Sequence, residues 1–383
     1  MQYDLVFEGG GAKGAVFVGA IQEFERRGHT ARRFVGTSAG AITSTLMAAG
    51  YTSVKMLAVT KEKTADGKPR FSTFMDIAEE FSAADIDNSL TREIFNRVDL
   101  PLVPTWAEQQ IDRAVLSQLM NMSAYRELFS FVERGGPYAG DVFLSWIREK
   151  LDVGTHKLGT ATFADFNKVT GSDLSLVASD TTAHQMLVLN HRTAPKCPIA
   201  WGVRMSMSIP FIWQEVRWNP TWGTYQGKTL DGHTIVDGGV LSNFPLQLLT
   251  SHEPDIIAVM GDTDPDGAPN LGFLIDETLA VPNAGRPATP KFDDSLKADL
   301  LQHTKRLRTI QRIRRLVDTM TDSFDQRIID AHSHEVCRLP AGGYGTTEFD
   351  MNDQRMTALI EAGRVAMNAF FDKGQMSDFN TRT

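Results

Sequence analysis

The segment LVFEGGGAKG, from Leu5 to Gly14, places a short apolar run directly before a cluster of glycines. The segment RFVGTSAG, from Arg33 to Gly40, repeats that order. Residues 15–27 and 39–49, which follow the two glycine turns, carry apolar side chains at helical spacing. Strand, glycine turn and helix, occurring twice, indicate parallel strands covered by helices. The sequence therefore predicts an α/β fold with a mainly parallel central sheet sandwiched by helices.

The second glycine turn reads Gly36-Thr37-Ser38-Ala39-Gly40 and fits the GxSxG pattern. Its position between a predicted strand and a predicted helix is the context of a nucleophile elbow. Gly36 and Gly40 are expected because the turn is too tight for side chains on either side of the serine. Ser38 is thereby placed at a helix N-terminus, where the helix dipole favours developing negative charge. Ser38 is the predicted nucleophile.

The first glycine turn contains Gly9, Gly10, Gly11 and Gly14, and fits GxGxxG. A dinucleotide-binding turn would need an acidic residue at the end of the second strand, where this chain has the elbow instead. A P-loop would need Lys-Ser/Thr after the last glycine, whereas Ala15 follows here. Free backbone N–H groups beside a nucleophilic serine can instead stabilise an oxyanion. The four glycines are the predicted oxyanion hole.

A serine nucleophile needs a base, and none of the nine histidines lies in a sequence context that marks it as catalytic. Asp237 follows the short apolar strand 234–236 and precedes two glycines. The C-terminal edge of a parallel sheet is where α/β proteins place their sites, and a carboxylate there can take the serine proton directly. A structural role in a β-turn is the alternative for Asp237.

Composition narrows the class of protein. The net charge of −8 over 383 residues argues against a nucleic-acid partner. The two cysteines, Cys197 and Cys337, are predicted to be buried thiols, and no spacing indicates a metal site, so we expect neither metal nor cofactor. No secretory signal and no apolar run of 18 residues is visible, so a soluble, cytoplasmic protein is expected.

The rest of the chain supplies further predicted elements. One domain is expected over 1–375, with a core over 3–262, a helical insertion at about 51–152 and a C-terminal helical section at about 296–375. The Pro/Gly-rich segment of about 262–291 is predicted to be a long loop. Further predicted strands are 174–179, 185–189, 256–260 and 336–339, and further predicted helices are 141–151, 199–208, 296–331 and 352–371.

The three motifs, in this order and spacing, resemble the patatin-like phospholipase family. Other stretches that resemble the family are 178–181, 204–211, 239–245 and the tail from Phe349 through Leu359, Gly363 and Ala366. The resemblance covers most of the chain and is weakest over 51–135 and 262–296. Lys13 stands where many members carry Arg, and because Lys lacks the bidentate fork, a specific phosphate-clamping role for it is not expected.

The resemblance implies a Ser–Asp dyad without histidine, with Ser38 as nucleophile, Asp237 as its base and the amides around Gly10 and Gly11 as oxyanion hole. The implied activity is a phospholipase A-type lipid acyl hydrolase acting through an acyl-serine, with a lipid or phospholipid substrate and transient contact with a membrane surface. The alternatives are a Ser-His-Asp esterase of small soluble esters, using a histidine after Asp237, and a non-catalytic module that binds a phosphorylated ligand.

Two apolar or basic segments are open to more than one interpretation. Residues after the elbow helix either line an acyl channel and a mobile cap or simply complete the core; they are Phe71, Phe74, Met75, Ile77, Phe81, Leu100, Leu102, Val103 and Trp106. The basic side chains of the predicted helix 296–331 either attract anionic lipids or form a solvated face, which is the favoured interpretation; they are Lys305, Arg306, Arg308, Arg312, Arg314 and Arg315.

Overall fold

The structure, a computed structural model, describes residues 1–78, 81–82, 85–86, 89–90, 123–154, 156–261, 267–286 and 325–380. Several predictions fall outside these residues. They are the first part of the helix predicted at 296–331, the apolar segment 100–106, the basic side chains from Lys305 to Arg315, and His303, one of the histidines after Asp237 that a Ser-His-Asp esterase could use.

Within the described residues, one eight-stranded sheet runs through the molecule. Its strands are β1 (Gln2–Phe7), β2 (Thr30–Thr37), β3 (Asp173–Asp180), β4 (Gln185–Leu189), β5 (Val216–Arg217), β6 (Thr234–Asp237), β7 (Asn270–Ala280) and β8 (Val336–Gly342). The strand order is β5-β6-β3-β2-β1-β7-β8, with β4 also paired to β3. The contiguous strands β3, β2, β1, β7 and β8 are parallel. The remaining pairings, of β3 with β4 and β6 and of β5 with β6, are antiparallel.

Helices cover both faces of this sheet. They are α1 (Val16–Arg26), α2 (Ala39–Ala48), α3 (Ser53–Thr60), α4 (Ser123–Arg134), α5 (Asp141–Leu151), α6 (Phe163–Thr170), α7 (Ile199–Ser206), α8 (Gln247–Thr250), α9 (Pro254–Met260) and α10 (Asp353–Asn380). Residues 325–331 are also helical. Side chains alternate across β1, so Leu5 and Phe7 enter a large core with α1 and α2, whereas Val6 enters a smaller core with α8 and α9. The predicted α/β class, with a mainly parallel sheet between helices, is confirmed.

The edge of β3 that faces β2 is shared by two strands. The parallel strand β2 follows β3 as far as the pair Thr37–Val177. The antiparallel strand β6 ends in the pair Asp237–Ala178. Because β4 occupies the opposite edge of β3 at residues 176–180, β6 must lie on the edge that β2 leaves. The carboxyl ends of β2 and β6 therefore face each other along this edge, because their last residues pair with consecutive residues of β3, Val177 and Ala178.

Two predicted elements are wrong. The long loop predicted at 262–291 contains β7, an 11-residue strand that pairs with β1 and β8. Pro, Gly and Asp on both sides of it hid a run that is buried from Leu271 to Asp276. The strand predicted at 256–260 is α9, which begins at Pro254, a residue favoured in a first helical turn. A short apolar run has no periodicity that separates a strand from a buried helix.

The C-terminal helix α10 packs closely across α1. A Cβ atom on Gly363 would lie 2.1 Å from the carbonyl oxygen of Val16, and one on Gly19 would lie 1.7 Å from the carbonyl oxygen of Ile360. Beyond this crossing, the Arg27 guanidinium lies 2.5 Å from an Asp372 carboxylate oxygen. The single domain over 1–375 stays a prediction, which this packing supports.

The α1–α10 crossing yields a stability prediction. Gly363→Ala should lower the free energy of unfolding by about 1–3 kcal/mol, because backbone on the facing helix has to move. In an open helical position the same change would raise stability by roughly 0.5–1 kcal/mol, so the sign of the effect is diagnostic. The control is Val365→Ala on the same helix, at a side chain that is 52% exposed. Urea unfolding monitored by circular dichroism measures both; a stabilised Gly363→Ala variant would contradict the close crossing.

Candidate active site

The GxSxG turn joins β2 to α2 and holds Ser38 in a strained backbone conformation. Ser38 is the residue before α2, and its φ of 52° and ψ of −116° lie in a region that favours glycine. Its N–H donates to the Ser206 hydroxyl over 3.0 Å, and that hydroxyl donates to the carbonyl of Val177 over 2.6 Å. Ser206 thus fixes the elbow to β3. Strain of this kind is found where a surrounding framework imposes a functional geometry.

Close packing around the elbow explains the two glycines that flank Ser38. A Cβ atom on Gly40 would lie 2.2 Å from the carbonyl oxygen of Phe7, and one on Gly36 would lie 2.3 Å from the carbonyl oxygen of Gly40. Both distances are far below a van der Waals contact with backbone that cannot move freely. The elbow therefore packs directly against the end of β1, which brings Ser38 beside the glycine turn that follows that strand.

The first glycine turn lies next to Ser38. A Cβ atom on Gly9 would lie 3.2 Å from the Ser38 Cβ atom. The Gly9 N–H donates to the Asn243 carbonyl over 2.9 Å. Within the described part of the chain, the N–H groups of Gly10 and Gly11 donate no hydrogen bond, and both residues line the same cleft as Ser38. These two amides are available to an oxyanion, whereas Gly14 lies one turn further on, against Ala39.

Asp237 is held at the end of β6 by its own backbone and by the turn after it. Its N–H donates to the Ser208 carbonyl over 3.0 Å, and its Oδ1 accepts from the Gly239 N–H over 2.8 Å. The side chain is buried, and Asp237 lines the same cleft as Ser38. The structure thus brings together Ser38, Asp237, Gly9, Gly10 and Gly11.

The position of Asp237 follows from a different geometry than the one predicted. The sequence argument placed Asp237 at the C-terminal edge of parallel strands, but β6 is antiparallel to β3. Asp237 meets Ser38 because β2 and β6 end at adjacent residues of β3. The predicted strand direction was wrong, whereas the role of Asp237 as base stays a prediction.

An apolar cavity opens on Ser38 from one side and encloses about 760 Å³ of atom-free space, part of it open to solvent. Gly14, Ser38 and Ile209 lie along it, with aliphatic side chains from α1, α2 and α3 and a group of aromatic rings. The aromatic residues are Phe71, Phe74, Phe143, Trp146, Trp213 and Phe349. Phe71 and Phe74, which follow the elbow helix in sequence, are therefore cavity-lining residues as well as core residues.

A second cleft, called the polar cleft because it carries more charged side chains, also includes Ser38 in its lining. Besides Asp237 and the glycine turn, its charged lining residues include Glu8, Lys13, Asp276, Glu277 and Arg338. The buried Lys13 ammonium pairs with Glu277, whose side chain is 64% exposed, and Arg338 donates to Asp276 over 3.2 Å. Burial raises the pKa of Glu8 well above its usual range, against the opposing effect of an N–H bond from Ile275.

No histidine belongs to the lining of either cavity among the described residues. His252 and His334 are exposed, and His332 lies 3.3 Å from Glu335. The Nδ1 atom of His233 lies 2.8 Å from Asp180 rather than near Asp237. Nor does the part of the chain that the structure describes contain a cluster of three candidate metal-ligating side chains.

Three residues that support the site carried no catalytic motif in the sequence. Asn243 donates through its Nδ2 atom to Glu8 over 3.0 Å and to the Gly9 carbonyl over 3.2 Å. Ser206 accepts from the Ser38 amide. Arg204 is buried, which lowers its pKa to about 10, and it donates to the hydroxyl of Ser208, whose carbonyl accepts the Asp237 N–H. All three lie in stretches that resembled the family, 204–211 and 239–245, which was the available signal.

The strain at Ser38 can be measured with a matched pair of variants. Ser38→Ala and Ser38→Gly both remove the hydroxyl, but only glycine relieves the backbone. Relief of the backbone strain should stabilise the glycine variant by about 1–3 kcal/mol, whereas the greater freedom of glycine in the unfolded chain costs about 0.5–1 kcal/mol. We therefore expect Ser38→Gly to be more stable than Ser38→Ala by roughly 1 kcal/mol. Thermal unfolding of the two proteins checks this. Equal stabilities, or a more stable alanine variant, would show that the elbow is not strained.

The comparison with known protein families identifies the family of this chain. A sequence model of the patatin-like phospholipase family matches residues 5–250. The protein YqhO of Bacillus subtilis (strain 168) is 28% identical over 372 residues, covering 95% of this chain and 96% of YqhO.

Among the residues that the structure describes, we find no helix with the length and apolar character that a membrane span requires.

Two solved structures resemble this chain at a lower sequence identity than YqhO does. VipD from Legionella pneumophila gives a TM-score of 0.46 at 17% identity, covering 97% of this chain and 67% of VipD. The type III effector ExoU of Pseudomonas aeruginosa gives a TM-score of 0.42 at 16% identity, covering 97% of this chain and 53% of ExoU. This chain thus spans about half the length of ExoU.

The family model covers well over half of the chain and includes the two glycine turns, Ser38 and Asp237. With the mainly parallel sheet and the elbow between β2 and α2 described above, the chain belongs to the patatin-like phospholipase family.

Proposed function

We propose that this protein is a lipid acyl hydrolase of the phospholipase A type, which cleaves acyl esters through an acyl-serine intermediate on a Ser38–Asp237 dyad. The observation that carries the proposal is the position of Ser38 between an apolar cavity and a polar cleft. A lipid ester has the same division, with a hydrocarbon chain on one side of its carbonyl and a polar alcohol on the other. Bound across Ser38, it would bury its acyl chain and leave its polar part in the cleft.

The proposed chemistry uses groups that line the cleft. Ser38 Oγ attacks the ester carbonyl carbon while Asp237 accepts the hydroxyl proton. The N–H groups of Gly10 and Gly11 stabilise the oxyanion. When the intermediate collapses, the proton passes from Asp237 to the departing alcohol oxygen. Water then attacks the acyl-serine with Asp237 again as base, which releases the fatty acid and restores Ser38.

The two alternative functions have less support from the site. A Ser-His-Asp esterase needs a histidine within hydrogen-bonding reach of the serine, and none lines either cavity among the described residues. A module that only binds a phosphorylated ligand would have no use for a serine held at positive φ, nor for an apolar cavity beside it. The Lys13 ammonium, which could attract a phosphate, is already paired with Glu277.

Contact with a lipid aggregate and the absence of a cofactor are parts of the same proposal. The reaction above needs no redox or metal chemistry. An acyl chain longer than the cavity, or one drawn from a bilayer, has to enter across an apolar rim. Phe211 is 36% exposed and lines the cleft that also includes Ser38, so it supplies exposed apolar surface near the proposed nucleophile.

The dyad predicts the effect of two isosteric or near-isosteric changes. Ser38→Ala and Asp237→Asn should each lower kcat for a long-chain phospholipid by at least about 10³-fold, because nucleophile and base act in one step. The double variant should be little worse than either single variant. Fatty-acid release from mixed micelles is the measurement, with Asp231→Asn, an exposed carboxylate in the turn before β6, as control. Substantial activity in Asp237→Asn would exclude the aspartate as base.

The cavity predicts a change in acyl-chain preference. Val59 lines the apolar cavity at a partly exposed position of α3, so tryptophan there should fold and obstruct the chain. Since each buried methylene contributes about 0.8 kcal/mol, displacing two of them should lower kcat/KM for a long-chain ester roughly tenfold or more. A four-carbon ester should be hydrolysed within about twofold of the wild-type rate.

The matched control for this variant is Val54→Trp, on the same helix but 72% exposed and outside the cavity lining. It should leave the chain-length profile unchanged. If Val59→Trp hydrolysed long and short esters in the wild-type ratio, the acyl chain would not occupy this cavity.

A further inference from the structure

We propose that Asp325 is a positioning residue of the active site. It holds the loop after β6 and Asp237 in place against the first glycine turn. The inference rests on the function proposed above. Asp325 lies beyond residues 5–250, where the family model matches, and is the first described residue of the helical segment 325–331. Nothing in the sequence around it distinguished it from other surface acids.

The carboxylate of Asp325 binds three consecutive residues of the loop that follows Asp237. Its Oδ2 accepts from the N–H groups of Asn243 and Phe244, both over 2.8 Å, and its Oδ1 accepts from the Ser242 hydroxyl over 3.1 Å. The Asp325 side chain is buried. Hydrogen bonds to a buried carboxylate are stronger than those between neutral groups, so this loop is fixed by the charge.

The fixed loop in turn holds the glycine turn. Asn243 accepts the Gly9 N–H through its carbonyl and donates from Nδ2 to the Gly9 carbonyl and to Glu8. Glu8 also accepts from the N–H of Ile275 over 2.5 Å. Gly9 and Asn243 therefore set the direction of the Gly10 and Gly11 amides, and Asp325 does so indirectly by holding Asn243.

The same loop also reaches the nucleophile strand. The Thr37 hydroxyl donates to the Ser242 carbonyl over 3.2 Å, and Thr37 immediately precedes Ser38. The Ser242 N–H also donates over 2.9 Å to the carbonyl of Gly238, the residue after Asp237. Through Ser242 and Asn243, Asp325 is thus connected to the residues next to the proposed nucleophile, the proposed base and the predicted oxyanion amides. Because a displacement of about 1 Å in such a constellation can cost 10²-fold in rate, a residue that touches no reacting atom can control kcat.

The test compares Asp325→Ala and Asp325→Asn in the full chain, with a long-chain phospholipid in mixed micelles. Asp325→Ala should lower kcat about 10²-fold and leave KM within about threefold, because the acyl cavity is untouched. Asp325→Asn keeps one oxygen for the two amides but loses the charge, and should lower kcat about five- to tenfold at unchanged KM. The control is Asp330→Ala, five residues further along the same helical segment at an exposed position, which should have wild-type kinetics.

The kinetics of the two Asp325 variants decide whether Asp325 has a positioning role. A folded Asp325→Asn variant with wild-type kcat, or an Asp325→Ala variant whose loss is confined to KM, would overturn the positioning role. If Asp325→Ala fails to fold, Asp325→Asn alone decides. Failure of the proposed function looks different, since wild type would then release no more fatty acid than Ser38→Ala.

Discussion

β2 and β6 share one edge of β3, and the active site depends on where each of them stops. β2 ends opposite Val177 and β6 ends opposite Ala178, so the residues that leave the two strands meet at one point. Backbone hydrogen bonds of the sheet therefore position Ser38 relative to Asp237. The strained elbow, bound through the Ser206 hydroxyl to β3 and packed on the end of β1, fixes the orientation of the proposed nucleophile.

The sheet also separates the two environments that a lipid ester requires. On the face of α1 and α2, the large core is left incomplete at one place, and this gap is the apolar cavity beside Ser38. At the carboxyl ends of β1 and β7, charged side chains such as Lys13 and Glu277 line the polar cleft. The two cavities that share Ser38 therefore differ in their linings, one being almost wholly apolar and the other carrying several charged side chains.

Local sequence patterns predicted much of this arrangement. The elbow and the glycine turn depend on close backbone approaches that glycine alone permits, so they could be identified from the residues themselves. β7 and α9 could not, because a strand flanked by turn-forming residues resembles a loop, and a short apolar run fits either a strand or a buried helix. The direction of β6 and the bonds of Asn243 and Asp325 depend on contacts between segments far apart in the chain.

The central claim is that Ser38 is a nucleophile activated by Asp237 at the mouth of an acyl cavity. Its most direct test is the reaction with a fluorophosphonate carrying a long alkyl chain, followed by intact mass spectrometry and peptide mapping. The account predicts one adduct per chain, on Ser38, formed at least about 10²-fold more slowly in Asp237→Asn. An adduct on another residue, or equally fast labelling of Ser38 without the Asp237 carboxylate, would contradict it.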